Sequence, residues 1–348
     1  MKLLVILPGT PVDKTIALQK ECIELETLTE GKQFFLKTEL VNNLQSIAGL
    51  QTAGNVEVTI RSFSRRKNPL QLIKAGKALR LLVVRTKPDA VYVFWGGVSA
   101  WIVTQYSFVP VVVCLLGSDL MGSYTVDGKK TAFGKMLAFF SRQACKEAKG
   151  IVVMSEKMKQ LLAPNLQNKT FVLPEGVDLA KFYPKDKQEC RELLGWSKEE
   201  SIVLFFDSGA YVKNASLAKA AFQLLHAKEP KARLVEVKNV PHQELINYYN
   251  AADLLLLTSF HEGSNNSIKE ALACNCPVVS TDAGDAKERL NGVTPSDCVE
   301  DYDAAMLAEK MTGILRNPQR SNGREKVESV SIEQIGKRLY AYLHEILP

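Results

Sequence analysis

The sequence predicts an α/β protein built from two doubly wound parallel-sheet domains. Three observations lead there. Short apolar runs of strand length alternate with stretches of helical periodicity through both halves of the chain. Runs such as 254–257 contain no polar residue, as in strands buried on both faces. And 348 residues are enough for two domains of ordinary size.

Taken in order, residues 2–7 read as the first buried strand. Their apolar core is too short for an export signal and no small-residue cleavage site follows, so a cytoplasmic location is expected. Pro8-Gly9-Thr10 reads as the turn after that strand. Stretch 20–49 is mixed and assigns no clear element. Further strands are expected at 56–63, 89–95, 110–116 and 150–154, with helices at 74–84 and 135–149. Residues 181–200 are rich in Lys and Glu and hold Pro184, which reads as a linker. The expected domains are therefore 1–184 and 185–330, with a final helix over 331–348. The second half repeats the first in architecture. It shows strands at 201–206, 232–238, 254–257 and 278–281, and helices at 215–227, at 242–251 and from about 266 to Pro277. Ile335, Leu339, Tyr342, Leu343 and Ile346 share one face of the last, amphipathic helix.

Composition narrows the class. The chain is 46% hydrophobic and 24% charged, values of soluble globular proteins, and no apolar run reaches membrane-spanning length. The net charge of +6 is uneven: residues 1–185 hold 25 Lys and Arg against 14 Asp and Glu, the remainder 19 against 24. Between Glu57 and Asp89 lie nine bases and no acid, with Leu70, Ile73, Leu79 and Leu82 interleaved at roughly helical spacing. Such a segment fits a solvated basic helix face or an anionic membrane surface equally. The seven Cys are odd in number. Cys274-Asn275-Cys276, the one close pair, lacks zinc-site spacing, so reduced thiols are expected. No Gly-x4-Gly-Lys-Ser/Thr loop, no strand-linked Gly-x-Gly-x-x-Gly and no metal-ligand cluster occurs, so neither cofactor nor metal is expected. Few aromatics accompany the bases, and nucleic acid is not an expected partner.

The chemistry concentrates between 252 and 288. After strand 254–257 comes a polar loop, and Ser264, Asn265, Asn266 and Ser267 are all good helix N-cap types. Glu262 precedes the helix and Glu270 follows after seven intervening residues. Glu270 then lies about 6 Å along the axis from a helix start near Asn266. The first-turn amides between the two carboxylates favour an anion such as a phosphate. Each carboxylate can accept hydrogen bonds from hydroxyls on its own side of a bound diphosphate, the layout of a nucleotide sugar.

Glu262-Gly263, Lys269-Glu270-Ala271 and Cys276-Pro277-Val278-Val279 together resemble the Glu-x7-Glu signature of retaining glycosyltransferases of family four. Leu173-Pro174-Glu175-Gly176-Val177-Asp178, with Phe182 and Pro184, resembles the hinge segment of the same family, with Glu175 in place of its usual Asn. The resemblance is clear over about 140–290 and faint over the first 110 residues. It implies the GT-B fold, two Rossmann-like domains facing across a cleft, the last helix packing back on the first domain.

It also implies roles. Glu262 would hold hydroxyls of the transferred sugar and Glu270 those of the ribose, with Gly263, Ser264, Asn265 and Asn266 offering backbone donors and Gly176 approaching the donor. Lys213 matches the Lys that steadies the diphosphate, and Asp207-Ser208 stands where the family has Gly-Arg. Gly9 and Thr10 match a loop near the phosphate and acceptor. Asp119, in Leu116-Gly117-Ser118-Asp119, is an acceptor-side contact or a helix cap, and Leu116 replaces the family's His. The implied reaction is metal-independent transfer, with retention, from a UDP- or GDP-sugar to a glycan or lipid-linked acceptor. Its setting would be bacterial cell-surface polysaccharide synthesis at the inner face of the membrane. Ser208 and Leu116 leave two alternatives: a non-catalytic nucleotide-sugar-binding partner subunit, or a nucleotide-sugar epimerase of the same fold.

Overall fold

The computed structural model describes residues 1–9, 23–26, 33–36, 47, 49–51, 53–64 and 69–347. Thr10, most of stretch 20–49 and the bases Arg65, Arg66 and Lys67 lie outside the described residues. The chain divides into two compact units. Met1–Ser123, Lys130–Gly176 and Ile332–Pro348 form the first, and Tyr124–Lys129 with Val177–Ser331 the second. The division falls after Gly176, not after residue 184.

The first unit is built on a six-stranded parallel sheet. Its strands are β1 (Lys2–Gly9), β4 (Glu57–Ser64), β5 (Ala90–Phe94), β6 (Val111–Leu115), β7 (Gly150–Val153) and β8 (Thr170–Val172), in the order β4-β1-β5-β6-β7-β8. A small antiparallel pair, β2 (Ile23–Glu26) and β3 (Gln33–Leu36), stands outside that sheet. Leu3 to Leu7 of β1 and all of β5, β6 and β7 are buried, which is why these runs are apolar throughout rather than alternating. Helices α1 (Pro69–Thr86), α2 (Gly97–Tyr106) and α3 (Ala132–Glu147) connect β4 to β5, β5 to β6 and β6 to β7. All three crossovers step the same way along the sheet, and right-handed connection then puts the helices on one face. α2 packs against both α1 and α3.

In the second unit α4 (Lys187–Leu194) stands inside the stretch read from sequence as a linker. Asp186 caps it, accepting from the Gln188 and Glu189 amides at 2.8 and 2.9 Å, and Gly195 ends it at φ 66°. Its Lys and Glu are the solvated face of a short helix. Five parallel strands follow: β9 (Ser201–Phe206), β10 (Ala232–Val237), β11 (Leu254–Leu257), β12 (Val278–Thr281) and β13 (Asp297–Val299), in the order β10-β9-β11-β12-β13. The connecting helices are α5 (Ala215–Lys228), α6 (Leu245–Ala251), α7 (Asn266–Ala273) and α8 (Ala304–Arg316). Val203, Phe205, Leu254 and Leu256 of the sheet form one core with Ala221 and Leu225 of α5 and Leu307 and Met311 of α8. The final helix α9 (Ile332–Ile346) belongs to the first unit. A Cβ on its Gly336 would overlap the Gly49 backbone, and its Tyr342 stacks on Phe171 with ring centroids 4.6 Å apart.

Parallel sheets gather their binding loops at the carboxyl ends of the strands. In the second unit those are the loops after β9, β11 and β12.

Candidate active site

Glu262 lies on the loop after β11 and Lys213 at the end of a single 3₁₀ turn, Tyr211–Lys213, after β9. Lys213 Nζ donates to Glu262 Oε1 at 2.6 Å, and Ser259 Oγ donates to the same oxygen at 2.8 Å. Both side chains of the ion pair are about a fifth exposed, 24% for Lys213 and 19% for Glu262. The two loops are tied to each other by more than this pair. The Phe260 amide donates to the Val212 carbonyl at 2.9 Å, and Thr258 Oγ1 donates to the carbonyls of Lys213 and Asn214 at 2.9 and 3.1 Å. Asn214 holds φ 50°, a left-handed conformation that Asn tolerates better than most residues. Tyr211 stacks on Phe260 at 4.9 Å. Tyr124, from the separate stretch of chain in this unit, stacks on Tyr211 at 6.2 Å and tilts against His261 at 5.1 Å.

α7 starts with Asn265 as its cap, the side chain accepting from the Ser267 amide at 2.9 Å. Beneath the loop Asp285 takes the Ser264 hydroxyl at 2.8 Å and the Asn265 amide at 3.3 Å. Lys269, fully buried, donates to Ser264 Oγ at 2.9 Å. These bonds correct one expectation. The Asn265 amide is spent on Asp285 and holds the loop instead of facing a ligand. The amides of Gly263, Ser264 and Asn266 are then the candidates at this helix start. Gly284, at φ 62°, lies under the same loop, where a Cβ would come within 2.9 Å of the Gly263 carbonyl and 3.1 Å of Glu262 Cβ.

Glu270, one turn into α7, is only 7% exposed. His242 Nε2 donates to its Oε1 at 2.7 Å and the Tyr249 hydroxyl to its Oε2 at 2.9 Å. Lys181 Nζ stands 2.9 Å from His242 Nδ1. An ammonium only donates, so Nδ1 accepts and the imidazole proton sits on Nε2, toward the carboxylate. Burial, then the Glu270 charge, pushes the Tyr249 phenol well above its ordinary range, so it stays a donor. Each carboxylate oxygen keeps a second lone pair for a ligand hydroxyl. Lys181, His242 and Tyr249 were not among the residues singled out from sequence. They lie 21 to 89 positions from Glu270 and carry no motif.

Ser208 is exposed, just past the end of β9. Its neighbour Asp207 accepts the Gly209 amide at 2.7 Å and pairs with Lys238 at 3.0 Å, and both contacts hold its carboxyl below the usual range. So a cation does reach this strand end, from Lys238 just past β10.

Three other expected residues belong to the first unit. Asp119 is fully buried. Its carboxylate accepts from the amides of Gly96 at 2.9 Å, Gly117 at 2.8 Å, and Leu116 and Leu120 at 3.1 Å. It is a loop-holding group, not an acceptor contact. Burial raises its carboxyl while those amides pull it down. Gly176 faces the Ile332 backbone, where a Cβ would come within 2.9 Å of the Ile332 Cα, so its small size serves that packing. Gly9 ends β1, paired with Ser64 of β4. Cys274 and Cys276 are buried thiols, the latter pushed up to about 11 by burial, and neither suits a metal or a nucleophile.

Comparison with known proteins covers both units. A family model described as Glycosyltransferase Family 4 matches residues 17–181, and one described as Glycosyl transferases group 1 matches 218–317. TuaC of Bacillus subtilis, a glycosyltransferase assigned to teichuronic acid biosynthesis, is 28% identical over 250 residues. That match takes in 65% of this chain and 61% of TuaC. Among solved structures, sucrose-phosphate synthase from Thermosynechococcus elongatus superimposes with a TM-score of 0.72 at 17% identity, covering 99% of each chain. HepE of Anabaena in complex with UDP-glucose superimposes at 0.65 and 15% identity, again over 99% of each. Two parallel Rossmann-like sheets with these structural neighbours are the GT-B fold, and glycosyltransferase family models match a stretch of each unit.

Proposed function

We infer that the protein transfers a sugar, with retention and without a metal, from a nucleotide-sugar donor to a glycan or lipid-linked acceptor in cell-surface polysaccharide synthesis. The observation that carries this reading is the placement of Glu262 and Glu270 on either side of the α7 start, with Lys213 against Glu262 at 2.6 Å. Glu270, aimed by His242 and Tyr249, takes the ribose hydroxyls. Glu262 takes hydroxyls of the sugar, and Lys213, drawn from Glu262 by the incoming diphosphate, neutralises the leaving group together with the Gly263, Ser264 and Asn266 amides. The leaving phosphate oxygen accepts the proton of the attacking hydroxyl. In this reading Lys213 and the helix start supply the positive charge that meets the diphosphate. The UDP-glucose held by HepE supports a uridine donor and the assignment of TuaC to teichuronic acid biosynthesis supports a glycan acceptor.

The test is incubation with labelled UDP- and GDP-sugars, alongside melting with the free diphosphates. A diphosphate at a hundred times its Kd adds about 2.7 kcal/mol, which for units of this size is a rise of about 5–10 °C. Transfer or slow donor hydrolysis supports the reading. Binding without turnover would make the chain a non-catalytic subunit, an isomerised sugar would make it an epimerase, and no thermal response to any nucleoside diphosphate would remove the donor site. Gly284→Ala tests the site's scaffold. Its strained φ and its push on Gly263 are expected to cost about 1–3 kcal/mol of stability, read by melting. Displacement of Glu262 is expected to slow turnover about tenfold or more. Unchanged turnover would show that the loop position is not critical.

A further inference from the structure

The α1–α2–α3 face of the first unit joins positive charge to exposed apolar surface. α1 turns outward a stripe in which Lys74, Lys77, Arg80 and Arg85 alternate with exposed Ile73, Leu81 and Val84. α3 exposes Phe133, Met136 and Phe139 beside Lys135, Arg142 and Lys146. α2, which packs between them, carries no charged residue at all. The surface is continuous: Arg80 lies over the exposed Phe108 ring at 5.9 Å, beyond the end of α2, and Trp101 of α2 meets Phe140 of α3 at 5.2 Å. In the three helices seven bases face a single acid, Glu147. Five of the seven exposed apolar side chains on these helices and at Phe108 are open by 55% or more.

A merely solvated basic helix has no reason to turn Phe and Leu into water beside its lysines. Large apolar side chains ringed by bases match one occupant: a lipid surface with anionic headgroups, where the bases meet phosphate and the rings and branched chains enter the acyl boundary. No helix among the described residues is long and apolar enough to cross a membrane, so the contact is with the surface. We propose that the outer face of α1, α2 and α3 docks the protein on an anionic membrane. The proposal does not depend on the sugar-transfer reading, because vesicle binding needs neither donor nor acceptor.

The test is co-sedimentation of the full chain with vesicles of phosphatidylglycerol in phosphatidylcholine, and of phosphatidylcholine alone, at low and high salt. The expected result is binding to the anionic vesicles only, weakened by salt. The triple variant Lys74→Gln, Lys77→Gln, Arg80→Gln is expected to lose affinity on the order of a hundredfold. Phe133→Ser with Phe139→Ser is expected to lose about tenfold or more while the residual binding stays salt-sensitive. All five positions are exposed, so folding is spared, and circular dichroism with a parent-like melting curve checks that both units are intact. Failure to bind anionic vesicles, equal binding to neutral ones, or variants that bind like the parent would overturn the proposal. So would sedimentation equilibrium showing a dimer that the Phe variants split, which would make the face a contact between two copies.

Discussion

Glu262→Ala is expected to lower the rate of sugar transfer by about 10²–10³-fold, the usual effect of removing one fixed polar group that meets charge at the reacting centre. The fold should survive. The carboxylate sits on a loop whose geometry is held by the Phe260 amide, Thr258 Oγ1 and the Tyr211 and Phe260 rings, none of which needs it. Its ion pair with Lys213 is partly exposed and worth about 1 kcal/mol or less, a few degrees in melting temperature. Lys213→Ala should act on the same step. Because the two side chains touch, the double variant should be little slower than the worse single one. Circular dichroism and melting curves report the fold, and labelled product reports transfer. Parent-like turnover in Glu262→Ala would sink the assignment of the site.

The second large effect lies in the other unit and concerns stability. Asp119→Ala removes the acceptor of the Gly96, Leu116 and Gly117 amides between β5, β6 and the short helix Ser118–Met121, and leaves the Leu120 amide only its bond to the Gly117 carbonyl. Hydrogen bonds to a charged acceptor are worth about 1.5–3 kcal/mol each, and orphaned buried amides retain their desolvation penalty. Since the bonds share one carboxylate the sum is not additive, and a loss of about 4 kcal/mol is expected, at the top of the usual range for one substitution. For a unit of this size that lowers the melting temperature by about 10 °C or more. The neighbouring contacts raise the stakes: Ser141 Oγ donates to the Asp119 carbonyl at 2.6 Å and accepts the Gly97 amide at 2.7 Å, so α3 is tied into the same knot. A fall of under about 2 °C, with a raised KM for acceptor instead, would return Asp119 to the acceptor site.

What could be read from residues alone divides along physical lines. Leu254 to Leu257 and Val278 to Thr281 announced themselves because a strand buried on both faces has little room for polar side chains. Glu262 and Glu270 were legible because their spacing along the chain is itself the geometry, one loop and one helix turn, whereas Lys213, on another loop, was read only through the family resemblance. α4 was hidden by its own surface. Asp186, Glu189 and Gly195 are cap signals, but the Lys and Glu between them read as solvent-exposed linker. His242, Tyr249 and Asp285 could not be read at all, because they reach Glu270 and Ser264 across folds of the chain that no local pattern encodes. Asp119 was visible as a loop carboxylate. Whether it met amides or a ligand depended on its burial, which only packing decides.

The unit that carries Glu262 is assembled from two distant stretches of chain, Tyr124–Lys129 and Val177–Ser331. A recombinant graft of 177–331 alone onto a foreign first unit would bring Tyr211 and His261 without the ring that rests on them. Interchanging specificities in this scaffold therefore takes two inserts, the long one and a six-residue cassette that must travel with it.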